Sequence, residues 1–330
     1  MNEKEGFFKV KSVTDINELK EGSSIPESDL TIHNGDKIYQ FEHVEPADDA
    51  PATIIKPGVF TLETTSVGVK LKKFKMKTYH LLKSIDNTSQ IRSEANKFFS
   101  KIDIYKQLNR EPKRAILLCS PPGVGKSAAI NDICQEFLTD KKTSIVIWDT
   151  SSIKPSHVNK FFLQSSEFHN SVERFIFVIE DISGGVVEEN YGSRGVESSL
   201  LNLLDGIGNP FKGVSTFIIA TTNNPEQSVG ALIDRPGRFD KVIELKTPNK
   251  QECLDLLAFI AQRNLTEEEK ASAELAANNG FSIAHLQEVV VRSILDDISM
   301  MVVVKQLVKH KERFKNAFQD VKRIGIEDRD

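Results

Sequence analysis

A glycine-rich segment directly follows an apolar run in this chain and constrains the fold most strongly: Ser120-Pro121-Pro122-Gly123-Val124-Gly125-Lys126-Ser127. The preceding run, 115–119, is typical of a buried parallel strand, and apolar side chains recur at helical spacing after the segment. A strand, a glycine-rich turn and a helix are the context that a phosphate-binding loop requires. Two glycines let backbone N–H groups turn toward phosphates, and the helix N-terminus adds partial positive charge. We therefore predict a nucleotide site here.

The side chains of this loop have distinct predicted roles. Lys126 is expected to reach the β- and γ-phosphates, and the Ser127 hydroxyl to ligate Mg²⁺. The usual first glycine is replaced by Ser120, and a small residue should be tolerated at this edge of the turn. The predicted cofactors are ATP and Mg²⁺. The residues predicted to contact the nucleotide from the loop are consecutive: Pro121, Pro122, Gly123, Val124, Gly125, Lys126, Ser127 and Ala128.

Polar residues follow two further apolar strands of the same predicted sheet. Glu180 and Asp181 end the run 175–179, and Asn223 follows the run 217–220. The carboxyl ends of parallel strands meet at the edge of the sheet where ligands bind. Phosphoryl hydrolysis needs one carboxylate to hold Mg²⁺ and another to orient the attacking water, and we assign these roles to Glu180 and Asp181 respectively. Asn223 is predicted to hold that water near the γ-phosphate.

Two arginines flank a Pro-Gly turn downstream. Arg235 and Arg238 are predicted to project outward from this stiff turn. They could donate guanidinium groups to a phosphate on a neighbouring subunit. Arginine–aspartate pairing on a surface turn is the alternative interpretation.

The apolar pattern predicts an α/β fold in three parts. Residues 1–80 read as a small β-rich module that binds a partner or substrate. Residues 81–247 alternate strands with helices, which predicts a parallel sheet flanked by helices, and 248–330 read as an all-helical lid with a C-terminal helix. The predicted strands of the sheet are the following: 115–119, 144–148, 175–179, 215–220 and 241–245. The predicted lid helices are the following: 253–262, 267–277, 283–295 and 298–321.

Composition argues against some classes of function. The net charge of −4 and the pI of about 6.1 give no overall attraction to nucleic acid or to anionic membranes. A basic run beside the N-terminal strands is better explained as a solvated strand edge than as a nucleic-acid patch: Lys70, Lys72, Lys73, Lys75 and Lys77. No apolar stretch approaches the roughly 20 residues that span a bilayer. The three cysteines read as reduced core residues, so a cytoplasmic location is expected.

Four segments in order resemble the AAA branch of the AAA+ P-loop ATPases: 120–127, 177–181, 220–224 and 234–240. Residues 200–206 are similar to the family's helix before the sensor strand, and 280–286 resemble its lid signature, which implies that Ser282 and Ala284 lie beside the adenine. The resemblance implies a homo-oligomeric ring, usually a hexamer, with ATP between subunits. It also implies chaperone-like remodelling or threading of a protein substrate. By position, Asn223 matches the family's sensor residue, and Arg235 and Arg238 match its arginine fingers.

The chain departs from the family pattern in two places. The carboxylates occur as Glu180 then Asp181, whereas the usual order is Asp then Glu. This reversal resembles the mitochondrial Rieske-protein translocase branch, although that branch's N-terminal membrane helix is missing, and the shorter Asp181 could slow hydrolysis. A substrate-gripping pore loop is expected near Phe161 and Phe162, but the family's glycine is absent there, and packing of a phenylalanine in the core is the alternative.

Three functions are compatible with these features. The favoured one is an ATP-driven ring that remodels, threads or disassembles a protein partner. The second is a nucleotide-dependent structural switch or assembly factor with weak hydrolysis. The third, a nucleic-acid motor or loader, is disfavoured because the pI is low and no nucleic-acid domain is recognisable.

Overall fold

The computed structural model describes residues 7–15, 30–34, 37–44, 52–66, 68–76, 88–182, 187–190, 193–196, 198–208, 210–223 and 237–324. The segments within 7–44 and 187–196, and residues 314–324, are described by their backbone alone.

Three strands near the N-terminus form their own antiparallel sheet. They are β1 (Phe7–Asp15), β2 (Leu30–Asn34) and β3 (Lys37–Val44), in the order β1-β3-β2. The pairing of β1 with β3 shifts register between Val10 and Ser12, as a β-bulge does. This sheet agrees with the β-rich character predicted for the N-terminal region.

The remaining strands follow in chain order: β4 (Thr53–Ile55), β5 (Gly58–Thr65), β6 (Gly68–Lys73), β7 (Lys113–Cys119), β8 (Thr143–Asp149), β9 (Ser166–Phe168), β10 (Arg174–Glu180), β11 (Val187–Asn190), β12 (Ser193–Val196), β13 (Ser215–Thr222) and β14 (Lys241–Glu244). The described helices are α1 (Ser89–Phe99), α2 (Ile102–Gln107), α3 (Lys126–Phe137), α4 (Pro155–Gln164), α5 (Ser198–Asp205), α6 (Lys250–Ala261), α7 (Glu267–Asn278), α8 (Ile283–Leu295) and α9 (Met300–Ile324).

A seven-stranded sheet forms the centre of the described structure, in the order β14-β7-β13-β10-β8-β5-β6. Its first five strands run parallel, and they confirm the predicted α/β sheet. All eight residues of β13 are buried, as expected for a parallel strand covered on both faces. Side chains alternate along β10, so Phe177 joins one core and Val178 joins the core on the other face. The carboxyl ends of β7, β10 and β13 therefore lie together at one edge.

Two strands assigned to the N-terminal module belong instead to this sheet. β5 pairs in parallel with β8, and β6 pairs antiparallel with β5. The prediction that residues 58–71 form part of a separate module is therefore wrong. On this hairpin, Lys70 and Lys72 both form ion pairs with Glu63, which favours the solvated-edge interpretation of the basic run.

The C-terminal helices pack around a separate core, as predicted. Helices α6, α7, α8 and α9 contribute buried side chains to one apolar cluster that includes Leu257, Phe281 and Val303. Capping boxes start three of them, because a polar residue precedes each helix: Asn249, Thr266 and Ser282. Within the described part of the chain, every helix is too short or too polar to cross a membrane.

Candidate active site

The glycine-rich loop connects β7 to α3 at the carboxyl edge of the sheet. Gly123 and Gly125 have φ angles of +79° and +96°, a region that side-chain-bearing residues rarely adopt. Val124 between them is fully buried and anchors the turn in the core beneath α3. The loop therefore presents backbone rather than side chains to the space above it, as a phosphate cradle requires.

The start of the lid helix α8 lies directly against this loop. The backbone N–H of Ala284 donates a hydrogen bond to the carbonyl oxygen of Gly123 at 3.1 Å. A Cβ atom at Gly123 would lie 2.8 Å from the Ser282 hydroxyl oxygen and 2.9 Å from the Ala284 Cβ. The structure thus brings Ser282 and Ala284, both predicted from the lid signature, to the nucleotide loop.

Lys126 is held in the mouth of the loop by oxygen atoms. Its Nζ donates to Asn223 Oδ1 at 2.7 Å, to Ser120 Oγ at 2.9 Å and to the Ser120 carbonyl at 3.0 Å. Burial lowers the pKa of Lys126, and the negative charge of Asp181 opposes this shift. The ammonium group lies where a ligand rich in anionic oxygens would be bound.

Asp181 and Asn223 are hydrogen-bonded to one another. Asn223 Nδ2 donates to Asp181 Oδ2 at 3.0 Å, so the amide joins this carboxylate to Lys126. Asp181 has a φ of +50°, an uncommon conformation for a residue with a side chain. Two threonines hold it there, because the Asp181 N–H donates to Thr221 Oγ1 at 2.9 Å and Thr150 Oγ1 donates to the Asp181 carbonyl at 2.6 Å. The sharp bend after β10 turns the two consecutive carboxylates to different partners.

Glu180 has Ser127 as its partner. The Ser127 hydroxyl donates a hydrogen bond to the Glu180 carboxylate and lowers its pKa, but burial raises the pKa more, and the charge of Asp149 raises it further. Asp149 ends β8 directly opposite Glu180 in the strand register. Asp149 was not predicted as a site residue, although it follows the apolar run 144–148 just as Glu180 follows the run 175–179.

These residues fit a magnesium nucleotide. Ser127 and Glu180 supply hard oxygen ligands of the kind that Mg²⁺ prefers. Lys126 and the backbone N–H groups around Gly123 supply donors for phosphate oxygens.

The prediction that both arginines project outward is wrong for Arg238. Its side chain is only 3% exposed, and it donates to both carboxylate oxygens of Asp205, at 3.1 and 3.3 Å. Asp240, two residues on, accepts from the N–H of Ala115 near the start of β7, whereas the nucleotide loop follows the end of that strand. Arginine–aspartate pairing, the alternative interpretation, holds for Arg238, but the side chain is buried and its partner Asp205 belongs to α5. Arg235 lies outside the described residues.

The predicted pore-loop phenylalanines are part of the core. Phe161 and Phe162 are 2% and 3% exposed on α4, and the Phe162 ring contacts Phe177 and Phe211 at centroid distances of 5.2 and 5.1 Å. The prediction that they grip a substrate is wrong in this structure, because a side chain buried under the sheet cannot touch a second chain. The alternative, core packing, holds for both residues.

A glycine-rich loop between a central parallel strand and a helix, with its lysine and a carboxylate from another strand of the same sheet, defines a P-loop nucleotide-binding domain. Residues 116–247 match the family model described as "ATPase family associated with various cellular activities (AAA)". Residues 116–247 are therefore similar to AAA ATPase domains, and this part of the predicted resemblance is confirmed. Likeness to the Rieske-protein translocase branch stays a prediction.

Several named proteins are similar to this chain over part of their length. The chain is 30% identical over 167 residues to "ATPase family gene 2 protein homolog A" of Homo sapiens, a match covering 49% of this chain and 18% of that protein. It is 25% identical over 243 residues to "Cell division cycle protein 48 homolog" of Archaeoglobus fulgidus, covering 66% and 32%. It is 27% identical over 232 residues to "Proteasome-activating nucleotidase" of Aeropyrum pernix, covering 65% and 54%.

The chain thus spans from under a fifth to about half the length of these three relatives. The family model and the first of these names both refer to ATPases.

Proposed function

We propose that this chain binds ATP with Mg²⁺ at the loop 120–127 and hydrolyses it. The observation that carries the proposal is the chain of hydrogen bonds from Lys126 through Asn223 to Asp181. A phosphate-binding lysine, a polar amide and a carboxylate are the groups that phosphoryl hydrolysis requires side by side.

We assign the two carboxylates by their partners. Glu180 is hydrogen-bonded to Ser127, so the pair is suited to hold Mg²⁺, which when bound neutralises charge on the β- and γ-phosphates. Asp181 lies beside Asn223, so this pair is suited to orient a water and accept its proton. The unusual Glu-then-Asp order therefore keeps two separate roles. Asp181, the residue proposed to orient the water, has a side chain one methylene shorter than the glutamate of the usual order.

We further propose that the protein acts as a homo-oligomeric ring, a hexamer, on a protein substrate. Relatives named for cell division and for proteasome activation support action on proteins. In this proposal Arg235 reaches a phosphate bound to the neighbouring subunit, and the sheet formed by β1, β2 and β3 recruits the partner. A cytoplasmic location stays a prediction.

A nucleotide-dependent switch with weak hydrolysis is the second candidate. The short side chain of Asp181 favours it, since a longer contact to water would slow proton transfer. Slow turnover with ATP-dependent assembly would support the switch. Turnover stimulated by an unfolded protein such as casein would support the remodelling motor.

A lysine substitution tests the site itself. We expect Lys126→Ala to abolish most binding of a fluorescent ATP analogue and most phosphate release, because a charge-assisted contact to phosphate is lost. Lys106→Ala, on the exposed surface of α2, is the matched control and should behave as wild type. Normal turnover in a folded Lys126→Ala protein would contradict the proposed site.

A further inference from the structure

The first residue of the loop, Ser120, occupies a position where glycine is usual. Its side chain is 3% exposed, and its backbone N–H donates to the Thr222 carbonyl at 3.3 Å. Ser120 is not among the described residues with a positive φ, so the backbone here does not require glycine. The backbone conformation at this position is therefore compatible with either glycine or serine.

The Ser120 hydroxyl is fixed by two hydrogen bonds. Its oxygen accepts from Lys126 Nζ at 2.9 Å, and its O–H donates to the Pro121 carbonyl at 3.0 Å. A hydroxyl has one donor and two acceptor positions, so this arrangement directs a lone pair at the ammonium group.

The ammonium group of Lys126 has more hydrogen-bond acceptors around it than it has N–H bonds. It has three N–H bonds, and four oxygen atoms lie within hydrogen-bond distance. They are Ser120 O at 3.0 Å, Ser120 Oγ at 2.9 Å, Pro121 O at 3.4 Å and Asn223 Oδ1 at 2.7 Å. Phosphate oxygens would need the same N–H bonds, so every internal acceptor competes with the ligand.

These acceptors differ in how they depend on sequence. The two carbonyl oxygens are present whatever side chains the loop carries, and Asn223 also contacts Asp181. The Ser120 hydroxyl is the acceptor that glycine would not supply. Replacing Ser120 thus changes the competition for Lys126 without touching the cradle or the carboxylates.

We propose that Ser120 is a positioning residue whose hydroxyl competes with phosphate oxygens for Lys126 and so weakens binding of the β-phosphate of nucleoside di- and triphosphates. This inference rests on the proposed function, because it concerns the affinity of the same site. When a contact must be released before a ligand binds, the apparent affinity is reduced in proportion to the small fraction of molecules in which that contact is already released. The Ser120 hydroxyl therefore lowers the affinity of the loop for these nucleotides.

Nucleotide binding by Ser120→Ala tests the proposal. We expect the variant to bind ADP about 3- to 10-fold more tightly than wild type, in line with the net contribution of one ordinary hydrogen bond. AMP has no β-phosphate, so its Kd should be unchanged. Ser100→Ala, which removes an exposed hydroxyl bonded to the Lys97 carbonyl, is the matched control and should change neither Kd.

Stability gives a second readout. Ser120→Ala should unfold more easily than wild type without nucleotide, and this difference should shrink in saturating ADP, because phosphate oxygens bound to Lys126 would replace the hydroxyl contact. Ser120→Thr keeps the hydroxyl and should restore the wild-type ADP affinity. Ser120→Gly gives the same test as the alanine variant if that variant fails to fold.

Several results would overturn the proposal. ADP affinity that is unchanged or weaker in Ser120→Ala would do so, as would equal changes for ADP and AMP. In a Lys126→Ala background the effect of Ser120→Ala on stability without nucleotide should shrink, and an effect as large as in the Lys126 protein would mean that Ser120 does not act through Lys126. If wild type binds ADP and the Ser120 variants bind it with the same affinity, this inference fails while the proposed function stands. If wild type binds no nucleotide, both fail.

Discussion

Replacing Phe162 by alanine should destabilise the whole ATPase domain. The ring is 3% exposed, and it contacts Phe161, Phe175, Phe177 and Phe211 at centroid distances of 5.1 to 5.8 Å. Full burial of a phenylalanine side chain contributes about 1.5–3 kcal/mol. Each well-placed aromatic pair adds about 0.5–1.5 kcal/mol, and the truncated site leaves a cavity. We therefore expect a loss of about 3–5 kcal/mol in the free energy of unfolding.

Urea denaturation followed by circular dichroism measures this loss. The matched control is Phe259→Ala, because Phe259 is 45% exposed on the lid helix α6 and should change stability by about 1 kcal/mol or less. Under conditions where Phe162→Ala is still folded, it should bind nucleotide as wild type does, since the ring lies away from the loop. If Phe162→Ala is as stable as wild type but loses substrate-stimulated turnover, the core assignment is wrong and the substrate-gripping role returns.

Three further outcomes follow from the contacts. Arg238→Ala should lower the free energy of unfolding by about 2–3 kcal/mol, because it leaves the Asp205 carboxylate without its buried partner. Thermal or urea melts measure this loss, and a change near zero would refute structural pairing. Arg263 holds the pKa of Glu269 down to about 2, so Glu269→Gln should be less stable than wild type at pH 7. The difference should shrink as the pH falls from about 4.5 to about 2, because the unfolded chain binds the proton first and the folded protein only near the lower value. A difference that grows on acidification would contradict the ion pair. Mixing Arg235→Ala with Lys126→Ala protomers should recover part of the ATP turnover if Arg235 acts across an interface, and inactive mixtures of assembled protein would argue against it.

The local pattern predicted the elements of the fold well, because each depends on neighbouring residues in the chain. The run at 215–220 lies within β13, and helix α8 has the predicted bounds Ile283–Leu295. Pairing between distant strands is not written in a local pattern. Strand β5 lies within the segment that was predicted to be β-rich, but nothing near it in sequence indicated β8 as its partner.

The predictions for the site were likewise right for some residues and wrong for others. The loop, Asp181 and Asn223 were predicted because motif and strand position agree, and the structure brings them together. Phe161 and Phe162 were assigned to a loop, although Val158 precedes them at helical spacing and all three form the buried face of α4. Arg238 was misjudged because its partner Asp205 lies 33 residues away in sequence.

The most direct test of the proposed activity is ATP binding and phosphate release measured on the same Asp181→Asn protein. If Asp181 orients the attacking water, this variant should bind ATP about as tightly as wild type. Its turnover should fall by about 100-fold or more, the usual effect of losing a general base. The amide keeps the shape of the carboxylate beside Asn223, so folding should be unaffected. A folded Asp181→Asn protein that releases phosphate at the wild-type rate would contradict the central claim that this carboxylate and the Lys126 loop form an ATP-hydrolysing site.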